Sequence, residues 1–133
     1  MTTPAELPVN GNNDVVLVRQ HVRTVAVDVG LSLVDQTKVV TAASELARNA
    51  LVYAGGGRVR VEVVHNGLRK GLRLTFSDEG PGIPDIEQAL TDGWTTGGGL
   101  GLGLSGSRRL VDEFDLKSAP GEGTLITVTK WAR

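Results

Sequence analysis

The sequence predicts a two-layer α+β sandwich, a mostly antiparallel sheet with helices on one face. Three observations carry this expectation. The element order reads helix, helix, strand pair, helix, strand pair, and strands grouped between helices argue against a parallel Rossmann sheet. Residues 58–65 and 71–78 alternate apolar with polar or charged side chains, the mark of a sheet covered on one side only. Two stretches before them carry apolar residues at spacings of three and four, the helical period.

Taken in order, residues 1–13 are polar and broken by Pro4, Pro8 and Gly11, so they read as a partly disordered start with a short edge strand around residues 7–9. Asp14 is placed as the cap of a first helix whose apolar stripe is Val15, Val18, Val22, Val25 and Val29, ended by Gly30. Asp35 is placed as the cap of a second helix, QTKVVTAASELARNALVYAG, in which Val39, Ala43, Leu46 and Ala50 form the buried stripe until the glycines at 55–57 stop it. The first strand turns Val59, Val61 and Val63 inward. After an Asn66-Gly67 turn, the second turns Leu72, Leu74 and Phe76 inward, with a hairpin loop predicted to exceed two residues. DEGPGIP breaks the chain, residues 86–91 are predicted to form a short helix, and a glycine-rich loop leads into a third helix. Leu104, Leu110, Val111 and Phe114 give that helix its stripe and its predicted end. Strands at 116–119 and 124–131, joined by Pro120-Gly121-Glu122-Gly123, complete the sheet.

With 133 residues the chain fits one domain. It contains no cysteine, which fits a reducing compartment. Fourteen basic and fifteen acidic residues leave a net charge of −1, so nothing in the charge points to nucleic acid or a membrane surface. No run approaches the roughly 20 apolar residues of a membrane span, and the first residues lack the basic start and apolar centre of a signal peptide. A soluble, cytoplasmic protein is expected.

Four short patterns carry chemistry. Glu45 and Asn49 lie one turn apart on the second helix and project from one face. The amide oxygen of Asn49 suits Mg²⁺, and Glu45 suits a role in holding a metal-bound water or taking a proton from an attacking hydroxyl. Asp78, at the end of a strand and followed by Gly80 and Gly82, suits acceptance of a hydrogen bond from the exocyclic amine of adenine, where guanine presents a carbonyl. DGWTTGGGLGLGLSG, residues 92–106, places Gly99, Gly101 and Gly103 before a helix, where backbone N–H groups and the helix dipole favour phosphate. Gly123-Thr124 opens the last strand, where the threonine hydroxyl can support Asp78 through a shared water. Read singly, each pattern has an ordinary structural alternative: a solvated helix face, a turn, a flexible linker, a strand threonine. Their order along one chain is what favours the chemical reading.

In that order the four blocks resemble the N, G1, G2 and G3 boxes of the GHKL ATPase and kinase superfamily, which includes histidine-kinase catalytic domains, gyrase-type ATPases, Hsp90 and bacterial anti-sigma-factor kinases. The resemblance covers nearly the whole chain. It implies the Bergerat ATP-binding sandwich, with a mostly antiparallel mixed sheet, and ATP and Mg²⁺ as cofactors. It also implies that Asn49 ligates the metal, Glu45 is the base, Asp78 reads adenine, and Gly80 and Gly82 shape the base pocket. Gly99, Gly101 and Gly103, followed by Leu104, would meet the phosphates as part of a short lid, with Thr124 near the adenine. Weak order without nucleotide is expected across residues 94–99 of that lid.

ELARNALVYAGGG, SDEGPGIPDIEQAL and DGWTTGGGLGLGLSGSRRLVDEF resemble more narrowly the stressosome switch kinases. That resemblance implies a serine/threonine protein kinase of the stress response that works by partner switching. Such a kinase phosphorylates STAS-domain proteins, both scaffold and antagonist, is released, and then activates a PP2C-type phosphatase or another output module. Two alternatives stay open: an anti-sigma-factor kinase of the same fold that sequesters a sigma factor, and a nucleotide-gated binding module without turnover. His21 and His65 are the only histidines, and neither lies in a pattern that would present a phosphoacceptor histidine on a helical hairpin.

Overall fold

Alternating apolar side chains build the sheet, and two long helices cover it. In the computed structural model, which describes residues 4–82 and 103–133, the chain runs β1 (Ala5–Val9), α1 (Asn12–Asp28), α2 (Leu33–Ala54), β2 (Gly57–Asn66), β3 (Arg69–Asp78), α3 (Gly103–Arg109), β4 (Glu113–Ser118) and β5 (Thr124–Trp131). The strands form one sheet in the order β1-β2-β3-β5-β4, and every described pairing is antiparallel. This is the predicted sandwich. The edge strand expected in the proline-broken start is β1, paired with β2 from Ala5↔Val61 to Val9↔Gly57.

The core forms where the two periodicities meet. Val59 and Val61 of β2, Leu72, Leu74 and Phe76 of β3, and Ile126 and Val128 of β5 are buried in one cluster with Val18 and Val22 of α1 and Val39, Ala43 and Leu46 of α2. Each fully buried Val or Leu side chain in such a layer contributes about 1.5–3 kcal/mol of transfer free energy. No helix among the described residues is long and apolar enough to cross a membrane.

Element ends differ from the sequence expectations in four places. Asp14 does not cap α1: Gly11 holds the N-cap position, and Asp14, inside the first turn, accepts from the Asn10 N–H at 2.8 Å. Nor does Asp35 cap α2. Ser32 does, its Oγ accepting from the Asp35 N–H at 3.1 Å, so the helix starts at Leu33. The β2–β3 loop is only Gly67-Leu68, because Asn66 pairs with Arg69; Gly67, at φ 63°, takes the first position of a tight hairpin turn. Finally, α3 stops at Arg109 rather than near Phe114. Leu110 N–H closes on Ser107 O at 3.1 Å, Asp112 N–H donates to Thr129 O at 2.9 Å, and Phe114 pairs with Val128 as part of β4. The predicted helix over 86–91 and the lid loop lie outside the described residues.

The helix-facing side of β5 holds one charged residue. Lys130, its side chain 4% exposed, lies opposite Leu72 and extends to Asp35 Oδ1 at 3.5 Å and Asp112 Oδ1 at 3.4 Å. Arg133 reaches the same two carboxylates at 3.7 and 3.4 Å. A buried ammonium is tolerated only when paired, so this cluster ties the start of α2 to the end of β5. Desolvation pushes the Asp112 carboxyl up, but the Trp131 N–H, the Lys130 ammonium and the Arg133 guanidinium outweigh it and hold the group below the ordinary carboxylate range.

Removing one partner of the buried lysine should be costly even though Asp112 still pairs with it: Asp35→Asn is expected to lower stability by roughly 1–3 kcal/mol in urea denaturation. A carboxyl with a depressed folded pKa stabilises the fold above its unfolded pKa of about 4 and loses that contribution as pH falls through its folded value. Urea midpoints at pH 7 and pH 3 should therefore differ more for the unmodified protein than for Asp112→Asn; equal differences would remove Asp112 from the acid response.

Candidate nucleotide site

The site residues named from the sequence come from four chain segments, and the structure brings two of them, residues 78–82 and 123–124, into contact. On α2, Leu46, Ala47 and Ala50 face the core, which leaves Glu45 and Asn49 together at its margin, both half-buried. The Glu45 carboxylate, 15% exposed, lies 4.0 Å from the guanidinium of Arg48 one turn on. α2 ends at Gly55, whose φ of 73° reverses the chain, with Gly55 N–H on Leu51 O and Gly56 N–H on Ala50 O.

Asp78 closes β3 on the same face as Phe76 and Leu74, at the margin of the core. Its Oδ1 accepts from the Gly80 N–H at 3.0 Å, which curls the chain back at once. Gly80 then passes flush against the end of α2: a Cβ there would lie 2.8 Å from Ala54 Cα and overlap Ala54 Cβ. Asn49 is five residues before Ala54, roughly 7.5 Å back along the helix axis from the end that meets the loop after Asp78.

The second approach is to the β4–β5 turn. Pro120 and Gly121 form its corner, with Glu122 N–H on Ala119 O at 3.0 Å, and Gly121 N–H donates across to Pro81 O at 2.7 Å. Gly82 and Gly123 both have positive φ, 80° and 76°; a Cβ on the first would collide with Ala119 O, and on the second with Asp78 O. Two turns distant in sequence are thus laced at backbone contact. Register does the rest, setting Asp78 opposite Thr124 and Thr124 opposite Ser118. An open cleft at these strand ends is lined by Asp78, Ser118, Gly123 and Thr124, with Lys117 and Glu122 beside them.

Asp78, Gly80, Gly82 and Thr124 therefore converge, as the sequence predicts. Gly103 is the first residue of α3, and Leu104 is buried in the core cluster, where it seats that helix on the sandwich. Gly99 and Gly101 lie outside the described residues. Sequence reasoning missed Ser118, whose Oγ donates to Gly123 O at 2.9 Å and lies 2.9 Å from Thr124 Oγ1. A serine before a turn has many ordinary uses; the signal is legible only once the β4–β5 register pairs it with Thr124.

Comparison with known proteins shows the family and the fold. The family model of histidine kinase-, DNA gyrase B- and HSP90-like ATPases matches residues 34–133. The chain is 51% identical over 120 residues to the serine/threonine-protein kinase RsbT of Bacillus subtilis, covering 90% of each. It is 30% identical over 97 residues to an anti-sigma F factor of Caldanaerobacter subterraneus, covering 70% of this chain and 68% of that one. The crystal structure of the RsbU and RsbW domains of a Mycobacterium tuberculosis protein shares the fold, with a TM-score of 0.68 at 22% identity, covering 99% of this chain and 33% of that longer one.

The lacing of the two turns has a direct test. Gly123→Ala adds a side chain at positive φ against a backbone carbonyl, so it should cost roughly 2 kcal/mol in urea denaturation. An unchanged midpoint would show that the turn can shift away from Asp78.

Proposed function

We propose that this chain, which belongs to the histidine kinase-, DNA gyrase B- and HSP90-like ATPase family, is the kinase of a partner-switching module. It transfers the γ-phosphoryl group of ATP to a serine or threonine of STAS-domain proteins, then engages a PP2C-type phosphatase or comparable output module. Protein serine/threonine kinase activity follows from the extent of its identity with the Bacillus subtilis kinase. The observation that carries the nucleotide site is the contact of Asp78 with the β4–β5 turn, which sets an acidic acceptor beside the Thr124 hydroxyl in an open cleft.

Each residue then has a task. The Asp78 carboxylate accepts from the adenine exocyclic amine, and Gly80 and Gly82, packed against Ala54 and Ala119, let the loop beside it close up into a wall of the base pocket. Gly99, Gly101 and Gly103 would offer backbone N–H groups to the triphosphate, and Leu104, buried in the core, keeps the start of α3 in place. Among the described residues no group of three or more His, Cys, Asp or Glu side chains could hold a metal ion. The single amide oxygen of Asn49 instead fits Mg²⁺, an ion that keeps waters and takes its other ligands from nucleotide phosphates. Bound there, Mg²⁺ would supply charge compensation for the transferring phosphoryl group. Glu45, on the same helix face, accepts the proton of the attacking hydroxyl or orients it through water. A second reading, sequestration of a sigma factor, is favoured by the similarity to anti-sigma F factors, which extends over less of the chain at lower identity.

Incubation with labelled ATP, Mg²⁺ and STAS-domain proteins encoded nearby, followed by mapping of the modified residue, tests the reaction. Label on a serine or threonine is expected; stable binding of a sigma factor with no label on any STAS protein would favour the second reading. Glu45→Ala should retain ATP binding and lose transfer by about 10²-fold or more, the usual worth of a general base. Undiminished transfer would remove Glu45 from the chemistry. Asn49→Ala should bind nucleotide with little response to added Mg²⁺, as read by titration with and without the metal.

A further inference from the structure

A proton count at the strand ends gives Ser118 a task in nucleotide selection, resting on the adenine-pocket reading above. The Ser118 hydroxyl has one proton. Its Oγ lies 2.9 Å from Gly123 O, which can only accept, and 2.9 Å from Thr124 Oγ1, where either oxygen could donate. Both contacts are hydrogen bonds in one arrangement only: Ser118 donates to Gly123 O, and Thr124 donates to Ser118. The acceptor in the first bond cannot drift, because Gly123 is packed by its α-carbon against the Asp78 carbonyl.

The Thr124 proton is therefore directed toward β4, and Thr124 Oγ1 has only lone pairs left to offer. Across the other side of the strand, register sets Thr124 directly opposite Asp78. Directly opposed residues hold their Cβ atoms about 4.5–5.5 Å apart on one face. An ionised carboxylate accepts and does not donate. From both residues the edge of the cleft thus presents acceptors.

We propose that Ser118 is a positioning residue for base selectivity: by engaging the Thr124 proton, it makes Asp78 and Thr124 an acceptor-only edge that fits an exocyclic amino group and opposes a carbonyl oxygen. A purine with an amine at that position supplies two N–H donors to this edge. One with a carbonyl there meets lone pairs on both sides and leaves them unmatched. Without the Ser118 hydroxyl, the Thr124 O–H turns freely and can donate to that carbonyl.

The test is the ratio of ATP to GTP affinity, measured by calorimetric titration for the unmodified protein, Ser118→Ala, Ser118→Thr and Asp78→Asn. The ratio is internal to each variant, so a partial loss of folded protein cancels. The unmodified protein should prefer ATP. Ser118→Ala should reduce the preference about tenfold, mainly by gaining GTP affinity, the effect of one added hydrogen bond. Ser118→Thr keeps the hydroxyl and should restore the original ratio. An unchanged ratio in Ser118→Ala, with ATP preference intact and sensitive to Asp78→Asn, would overturn the role of Ser118 alone. No ATP preference in the unmodified protein, or none lost in Asp78→Asn, would overturn the adenine pocket and the role of Ser118 with it.

Discussion

The contact of Gly123 with the Asp78 carbonyl is the constraint on which the site depends. Two reversals far apart in sequence, the loop after β3 and the turn before β5, touch at backbone distance because two residues lack a Cβ, and a third glycine lets the loop pass the end of α2. Gly80 passes against Ala54, Gly82 against Ala119, and Gly123 against Asp78. Any side chain at these points would push apart Asp78, Thr124 and Ser118, which sit side by side across three strand ends. Glycine carries an entropic penalty on folding, and positive φ at two of the three positions means that no other residue fills them without strain.

The same logic extends to α2, which is held at both ends. Its first turn is fixed through Asp35 to Lys130 at the end of β5, and its last residue is the surface over which Gly80 passes. Glu45 and Asn49 lie between these anchors. The helix that bears them is thus tied to β5, which begins with Thr124, and to the loop that follows Asp78. A phosphoryl-transfer site works mainly by positioning and electrostatics, so groups on a tethered helix and on paired strands suit it better than groups on free loops.

Much of this was legible in the sequence wherever one periodicity dominated. The valines of β2, the Leu72, Leu74 and Phe76 row of β3, and the apolar stripes of α1 and α2 leave no competing reading, and they set the fold class. Reading failed where two patterns fit the same residues. Ser32 and Asp35 are both good caps spaced one turn apart, and only the bond from Asp35 N–H to Ser32 Oγ decides between them. Phe114 fits the helical spacing from Leu110 as well as it fits the alternation with Leu116, and pairing with β5 settles it as a strand residue. Arg69 and Lys70 gave no apolar signal, so the two-residue hairpin was hidden. Lys130 breaks the alternation of β5, and its acidic partners come from α2 and the residue just before β4, a coincidence that only tertiary structure brings about. The juxtaposition of Asp78 with Thr124 was legible because each stands in a short motif; that of Ser118 was not, because its partner is known only from register.

A crystal structure with Mg²⁺ and a non-hydrolysable ATP analogue tests the central claim, that these three strand ends hold the base while α2 holds the metal, most directly. The adenine amine within hydrogen-bond distance of the Asp78 carboxylate, and the metal on the Asn49 amide oxygen, is the expected result. A base bound away from the contact between the β3 loop and the β4–β5 turn, or a metal with no ligand from α2, would contradict it.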